Sequence, residues 1–161
     1  MNKAVFYSLL ALFCSSGFAD PLGEGAFDTI NISADEAVED EIPGIIHLKG
    51  NFQMLSDEWS LTSNLATVHG SPNKPDRIYL QGSPARFLFL PEKDTSKEQI
   101  EAIASNVEYL RDINKLKLTG DATLMLGDEI IRSSYIEYDI TTNRYQAGGD
   151  NGVVMKVPSV D

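Results

Sequence analysis

Two histidines, His47 and His69, are the first candidates for metal ligation or proton transfer, but they stand 22 residues apart. A zinc site wants closer pairing, or a third nitrogen or sulfur ligand. Cys14 is the only cysteine, and it falls in an amino-terminal leader, so the rest of the chain has no thiolate to offer. Carboxylates are plentiful, 24 against 13 Lys and Arg, for a formal charge of −11. They fall in turns and on the polar sides of strands, and nothing singles out a pair for acid–base work. The densest group, Asp35, Glu36, Glu39, Asp40 and Glu41, lacks the Asp-x-Asp-x-Asp-Gly spacing of a calcium loop and reads as a solvated turn. Gly148, Gly149 and Gly152 are followed by neither a helix nor a Lys-Ser or Lys-Thr pair, so they make no phosphate cradle. No Gly-x-Ser-x-Gly or Ser-x-x-Lys nucleophile motif occurs. No enzyme and no cofactor is indicated, and the acidic balance argues against nucleic acid. What the chain does have is many large apolar side chains, whose chemistry is the burial of hydrocarbon.

The elements that must position them are strands. From Ser105 to Tyr138 the sequence reads as three in succession. Leu116, Leu118, Ala122 and Leu124 alternate with polar residues, the period of a half-buried strand. Gly120-Asp121 interrupts the run as a bend. At an offset of 70 positions, Leu48-Lys49-Gly50-Asn51 falls on Leu118-Thr119-Gly120-Asp121. Both copies switch parity at the same later place: Leu61 and Ser63 give way to Ala66 and Val68, as Ile131 and Ser133 give way to Ile136 and Tyr138. A parity switch inside a strand means a bulge or bend, and its recurrence implies two copies of one β unit.

Met1 to Ala19 reads as a secretory signal peptide: Lys3, then an apolar stretch to Cys14, then Gly17-Phe18-Ala19 for the peptidase. Cleavage leaves residues 20–161 as one domain, more acidic still for the loss of Lys3. Asp28 to Ala34 alternates as a first strand with Ile30 and Ile32 inward. Ile45–Leu48 and Asn51–Leu55 follow, then a strand from Asp57 to Val68 in which Trp59 is a core or rim aromatic. His69 to Asp76 reads as a loop and Gly82-Ser83-Pro84 as a turn. Ala85 to Leu90 is apolar on both faces. Pro91 to Glu101 is the most polar window and reads as a long loop. Tyr145–Ala147 and Val153–Val157 complete about a dozen short strands and no amphipathic helix, the pattern of an all-β sandwich or barrel. Parity places Phe52, Met54, Phe89, Leu116, Leu118 and Leu124 on a common inner face.

Several segments, in this order and spacing, resemble the OstA-like superfamily of lipopolysaccharide transport proteins, and its LptA family in particular. They are Ile30-Asn31-Ile32-Ser33-Ala34-Asp35, Leu48-Lys49-Gly50-Asn51, Gly82-Ser83-Pro84-Ala85-Arg86-Phe87, Ala104-Ser105-Asn106-Val107-Glu108-Tyr109, Leu118-Thr119-Gly120-Asp121-Ala122 and Val157-Pro158-Ser159. The resemblance implies a twisted, open β-jellyroll in the periplasm. It implies binding of lipopolysaccharide with the lipid A acyl chains inside, Ile30, Ile32, Phe87 and Tyr109 touching lipid. It further implies a head-to-tail bridge of such units from an LptC-like inner-membrane complex to the amino-terminal domain of LptD at the outer membrane. Asp28, Thr29 and Asn31 would form one partner edge, and Val153, Val154 and Met155 the other; both are lightly charged for exposed strands. A different OstA-like periplasmic lipid chaperone, or an anchored LptC-type subunit, is the alternative. The stretch Glu41 to Gly44 is longer than usual in the family, and a lysine-rich tail is missing. Acyl burial at about 0.8 kcal/mol per methylene needs no basic clamp. Were phosphate gripped instead, Arg86, Arg111, Lys117 or Arg132 would have to do it.

Overall fold

The computed structural model describes residues 30–72, 74–91 and 98–159. The leader, Asp28, Thr29 and most of the polar window after Pro91 lie outside the described residues. Ten strands and no helix are found among those described: β1 (Asn31–Ser33), β2 (Glu36–Glu39), β3 (Ile45–Leu55), β4 (Trp59–Ser71), β5 (Lys74–Phe89), β6 (Ile100–Leu110), β7 (Lys115–Leu126), β8 (Glu129–Asp139), β9 (Arg144–Gly148) and β10 (Val154–Lys156). All pair antiparallel in one sheet, along the path β1-β3-β4-β5-β6-β7-β8-β10; β2 also lies on β3 and β9 on β8. The all-β jellyroll class read from the sequence is the observed one.

The parity switches are bulges, and they line up. Register shifts fall between Lys49 and Phe52, Thr62 and Leu65, Gln81 and Ala85, Ile103 and Asn106, and Thr119 and Ala122. Together they draw a line across every long strand. In β3 and β7 the extra residues are Gly50-Asn51 and Gly120-Asp121, with φ of 72° and 45° and of 82° and 48°. Glycine enters this left-handed region freely, and Asn and Asp tolerate it better than most side chains. Short polar groups take up backbone hydrogen bonds along the line. Ser63 Oγ donates to Leu65 O at 2.7 Å, Asn64 Oδ1 accepts from Ser83 N at 3.1 Å, and Ser133 Oγ donates to Gly148 O at 2.6 Å.

The sheet therefore folds over on itself at this line. One arm holds β2, β9 and the halves of β3 to β8 nearer them; the other holds β1, β10 and the remaining halves. The inner faces of both arms join one core, in which Met54, Ala102, Leu116, Leu118, Leu124, Ile131 and Ile136 are fully buried. Each such Leu or Ile contributes about 2 kcal/mol by leaving water. The Phe87 ring from one arm meets the Tyr109 ring from the other, centroids 5.5 Å apart.

The repeat is also real, and wider than its sequence trace. Lys49 pairs Leu65 as Thr119 pairs Tyr135, and Met54 pairs Leu61 as Leu124 pairs Ile131, each at an offset of 70. The same offset carries Asn31–Leu55 onto Glu101–Met125, and Glu36–Lys49 onto Asn106–Thr119. Thus β1 and β2 together are the counterpart of β6, broken in two at the fold line.

Three local readings need correction. The acidic segment is not a turn throughout: Glu36 to Glu39 is edge strand β2, paired to Ile46–Lys49. Residues 69–76 are not a loop, since β4 runs to Ser71 and β5 starts at Lys74 in a tight hairpin. Gly82-Ser83-Pro84 does not reverse the chain. It is the bulge of the single strand β5, with a cis Ser83–Pro84 bond. In each case ladder pairing with neighbouring strands overrides the local breaker signal.

Candidate functional site

Opposite the fold line, the two arms end in hairpin turns, and between those turns the interior reaches the surface in two clefts. The first, about 310 Å³, is lined by Ile30, Trp59, Leu61 and Phe87 from one arm and Pro75, Ile78, Tyr109 and Arg111 from the other, with Ser56 and Glu58 at the β3–β4 turn. The second, about 400 Å³, lies further toward β9. Phe89, Glu98, Ile100, Leu126 and Glu129 face Tyr138, Ile140, Thr141 and Asn143 across it.

One device shapes both mouths. Tyr109 donates its hydroxyl to Asn114 Oδ1 at 3.4 Å, and Tyr138 donates to Asn143 Oδ1 at 3.1 Å. Each Asn ends a hairpin turn in the left-handed conformation, with φ of 48° and 54°. The phenol thus has its apolar body in the interior and its polar tip on the turn. Burial raises both phenols above the ordinary tyrosine value; the Arg111 charge pulls Tyr109 partly back.

Nine of the ten candidate interior residues separate into two groups, and Ile32 stands apart at the sheet edge. Ile30, Phe87 and Tyr109 line the first cleft, and Phe89 the second. Phe52, Met54, Leu116, Leu118 and Leu124 are sealed in the core. Ile32 pairs Met54 and so shares its inward face, at the sheet edge, 37% exposed. Of the edge residues, Asn31, Val153, Val154 and Met155 are all exposed. Trp59, Leu61, Ile78 and Arg111 belong to the first cleft and were not singled out as lining. Parity would have supplied Leu61 and Ile78; nothing local marks Arg111.

Among the described residues the polar candidates have structural partners or lie on the solvated outer face. His47 lies between Asp40 (2.8 Å) and Thr67 (3.2 Å), pinning the β2–β3 turn to the sheet. The Asp40 carboxyl is held below its ordinary value by the Ile42 amide first, then by His47. Among the described residues no group of three or more His, Cys, Asp or Glu could hold a metal ion. The outer face of the β2/β9 arm is a lattice of cross-strand pairs, Arg77–Glu108 at 3.1 Å and Lys115–Glu137 at 2.8 Å. That is a solvated surface.

Comparison with known proteins agrees with this architecture. Residues 31–144 match the model of a family described as LptA/(LptD N-terminal domain) LPS transport protein. The crystal structure of LptH from Pseudomonas aeruginosa, described as the LptA homologous periplasmic component of the conserved lipopolysaccharide transport device, superposes with a TM-score of 0.70. The match covers 82% of this chain and 96% of that one at 20% identity. At that identity the likeness establishes the fold. A sequence search of curated proteins finds no match.

Proposed function

Because the chain belongs to the family of LptA and LptD amino-terminal-domain LPS transport proteins, we propose that it is a periplasmic carrier and bridge for lipopolysaccharide. It binds the acyl chains between its two arms and carries out no chemistry on them. The observation that carries this reading is the folded sheet itself. Between the arms, on the margin away from the bulge line, the apolar interior has two separate clefts, one lined by Ile30, Phe87 and Tyr109 and the other by Phe89, and these support a groove between them. A groove open along its length lets acyl chains lie inside while bulky sugars stay in water, and a dozen methylenes contribute up to roughly 10 kcal/mol. The two sheet edges support the bridging part. β1 and β10 are short and exposed and contain no proline, and Val153, Val154 and Met155 present apolar side chains at the carboxy-terminal edge. Such edges accept a further strand. The partners in this reading are an LptC-like complex at the amino-terminal edge, and the LptD amino-terminal domain or a second copy at the carboxy-terminal edge. Residues 1–19 are removed as a signal peptide and residues 20–161 act as one domain.

Mass spectrometry of the protein purified gently from the periplasmic fraction tests the reading. Lipid A species should accompany it in stoichiometric amounts. Protein that is periplasmic and folded, but consistently empty and unable to take up added lipopolysaccharide, would refute it.

A further inference from the structure

Both clefts have apolar side chains in their lining but differ in charge. The second carries two carboxylates, Glu98 and Glu129, and no cation. The first carries a guanidinium, Arg111, with Glu58 as its one carboxylate. Arg111 is fixed at the start of the β6–β7 turn by its backbone amide, which donates to Asp76 O at 3.0 Å. Its side chain is exposed, and its guanidinium has no hydrogen-bond or ion-pair partner among the described residues. By contrast Lys49, Arg77, Arg86 and Lys115 are each engaged by a glutamate. A free cation beside Trp59, Tyr109 and Ile30 is the arrangement that receives an anionic amphiphile, chain on the apolar floor and head on the guanidinium.

From this juxtaposition we propose that the first cleft is the head-group site of the groove, in which Arg111 selects a lipid with a phosphorylated head over one with a neutral head. The inference rests on the lipopolysaccharide-carrier reading and deepens it. A free phosphate ion is not the ligand, because it would leave Ile30, Trp59, Leu61, Pro75 and Ile78, which line the cleft with Arg111, uncovered, and a lipid chain would cover them. Glu58 faces the same mouth and opposes any anion, so the grip is weak and releasable. The carboxylates of the second cleft repel the same head, which places a resting lipid at the β1 end of the margin.

The test compares lipid A with its phosphate-free form, using displacement of an apolar fluorescent probe from the full secreted protein. Wild type should prefer the phosphorylated form about fivefold at low salt, the range of one partly screened ion pair. The preference should shrink as salt rises. Arg111→Gln should lose the preference, binding the phosphorylated form no better than the phosphate-free one because Glu58 remains, with its melting temperature unchanged. Arg111→Lys should restore part of the preference, and inorganic phosphate alone should displace no probe. A wild type that binds both forms equally, or an Arg111→Gln variant that keeps the preference, overturns the head-group site and leaves the carrier standing. Failure of wild type to bind either form overturns the carrier itself.

Discussion

Gly120 sits where the fold line crosses β7, and replacing it by alanine should weaken the crease that holds the two arms together. Two costs add. At φ of 82° an alanine loses about 1 kcal/mol relative to glycine. In addition, a Cβ there would stand 2.9 Å from both Cβ and Oγ of Ser105 on the neighbouring strand. Overpacking of that kind adds about 1–2 kcal/mol, since one strand must shift. Gly120→Ala should therefore cost about 2–3 kcal/mol in urea unfolding and lower the melting temperature by roughly 6–10 °C. Gly44 is the internal control. It has the same φ of 82° with nothing within 4 Å, so Gly44→Ala should cost only about 1 kcal/mol. Adding Ser105→Gly removes the clash and leaves the backbone cost, so a double-mutant cycle should show about 1 kcal/mol or more of favourable coupling. If Gly120→Ala costs no more than Gly44→Ala, or Ser105→Gly recovers nothing, the tight crossing of β6 and β7 at the fold line is not what requires glycine there.

Three further outcomes are expected. A photo-crosslinker at Phe87, inside the first cleft, should capture lipopolysaccharide, while one at Arg86, exposed on the opposite face and paired to Glu101 at 2.9 Å, should not; equal capture at both would overturn the inside–outside assignment. Val154→Pro and Met155→Pro each delete one amide of β10, and strand alternation makes one of these amides face outward. The outward one should abolish concentration-dependent oligomers with thermal unfolding unchanged, and normal assembly of both variants would refute the edge-to-edge bridge. Glu137 is held below the ordinary carboxylate value of 4.5 by the hydrogen bond from Lys115 first and from Tyr135 second. Its contribution to stability is present above pH 4.5 and is lost as pH falls through the lowered value. Melting curves between about pH 5 and 3 should therefore fall less steeply for Glu137→Gln than for wild type; equal slopes would show that the pair contributes nothing.

Much of the crease was legible in the sequence. Ser63 to Ala66 and Ser133 to Ile136 switch parity because a side chain must point inward on both arms of a folded sheet, and that demand is written into the residue pattern. Gly50-Asn51 and Gly120-Asp121 were visible for the same reason, since few residues accept consecutive left-handed positions. The strand bounds around Gly82-Ser83-Pro84 and Pro72-Pro75 were not. Proline and glycine report only local backbone preference, while the length of β4 and β5 is decided by partners far away in sequence, such as Asn106 for Gln81 and Leu110 for Arg77. The first cleft was half legible. Ile30, Phe87 and Tyr109 follow from parity and resemblance. Arg111 lies in a turn, and turns have no period from which to read direction.

The path across the sheet crosses eight strand positions, four from each repeat, and every step reverses direction. Eight is even, so β1 and β10 run in opposite senses. Both also lie in the same arm, as β2 and β9 both lie in the other. A second copy laid beside the first by simple translation, without being turned over, thus meets β10 with its own β1 in antiparallel sense. Its arms continue the arms of the first, and its open margin continues the same margin. With an odd count, antiparallel joining would require a flipped neighbour, and the open side would switch at every junction. Duplication of a four-strand unit therefore does more than double the core: an even strand count leaves two end strands of opposite sense, the condition for copies to join antiparallel with every open side facing one way.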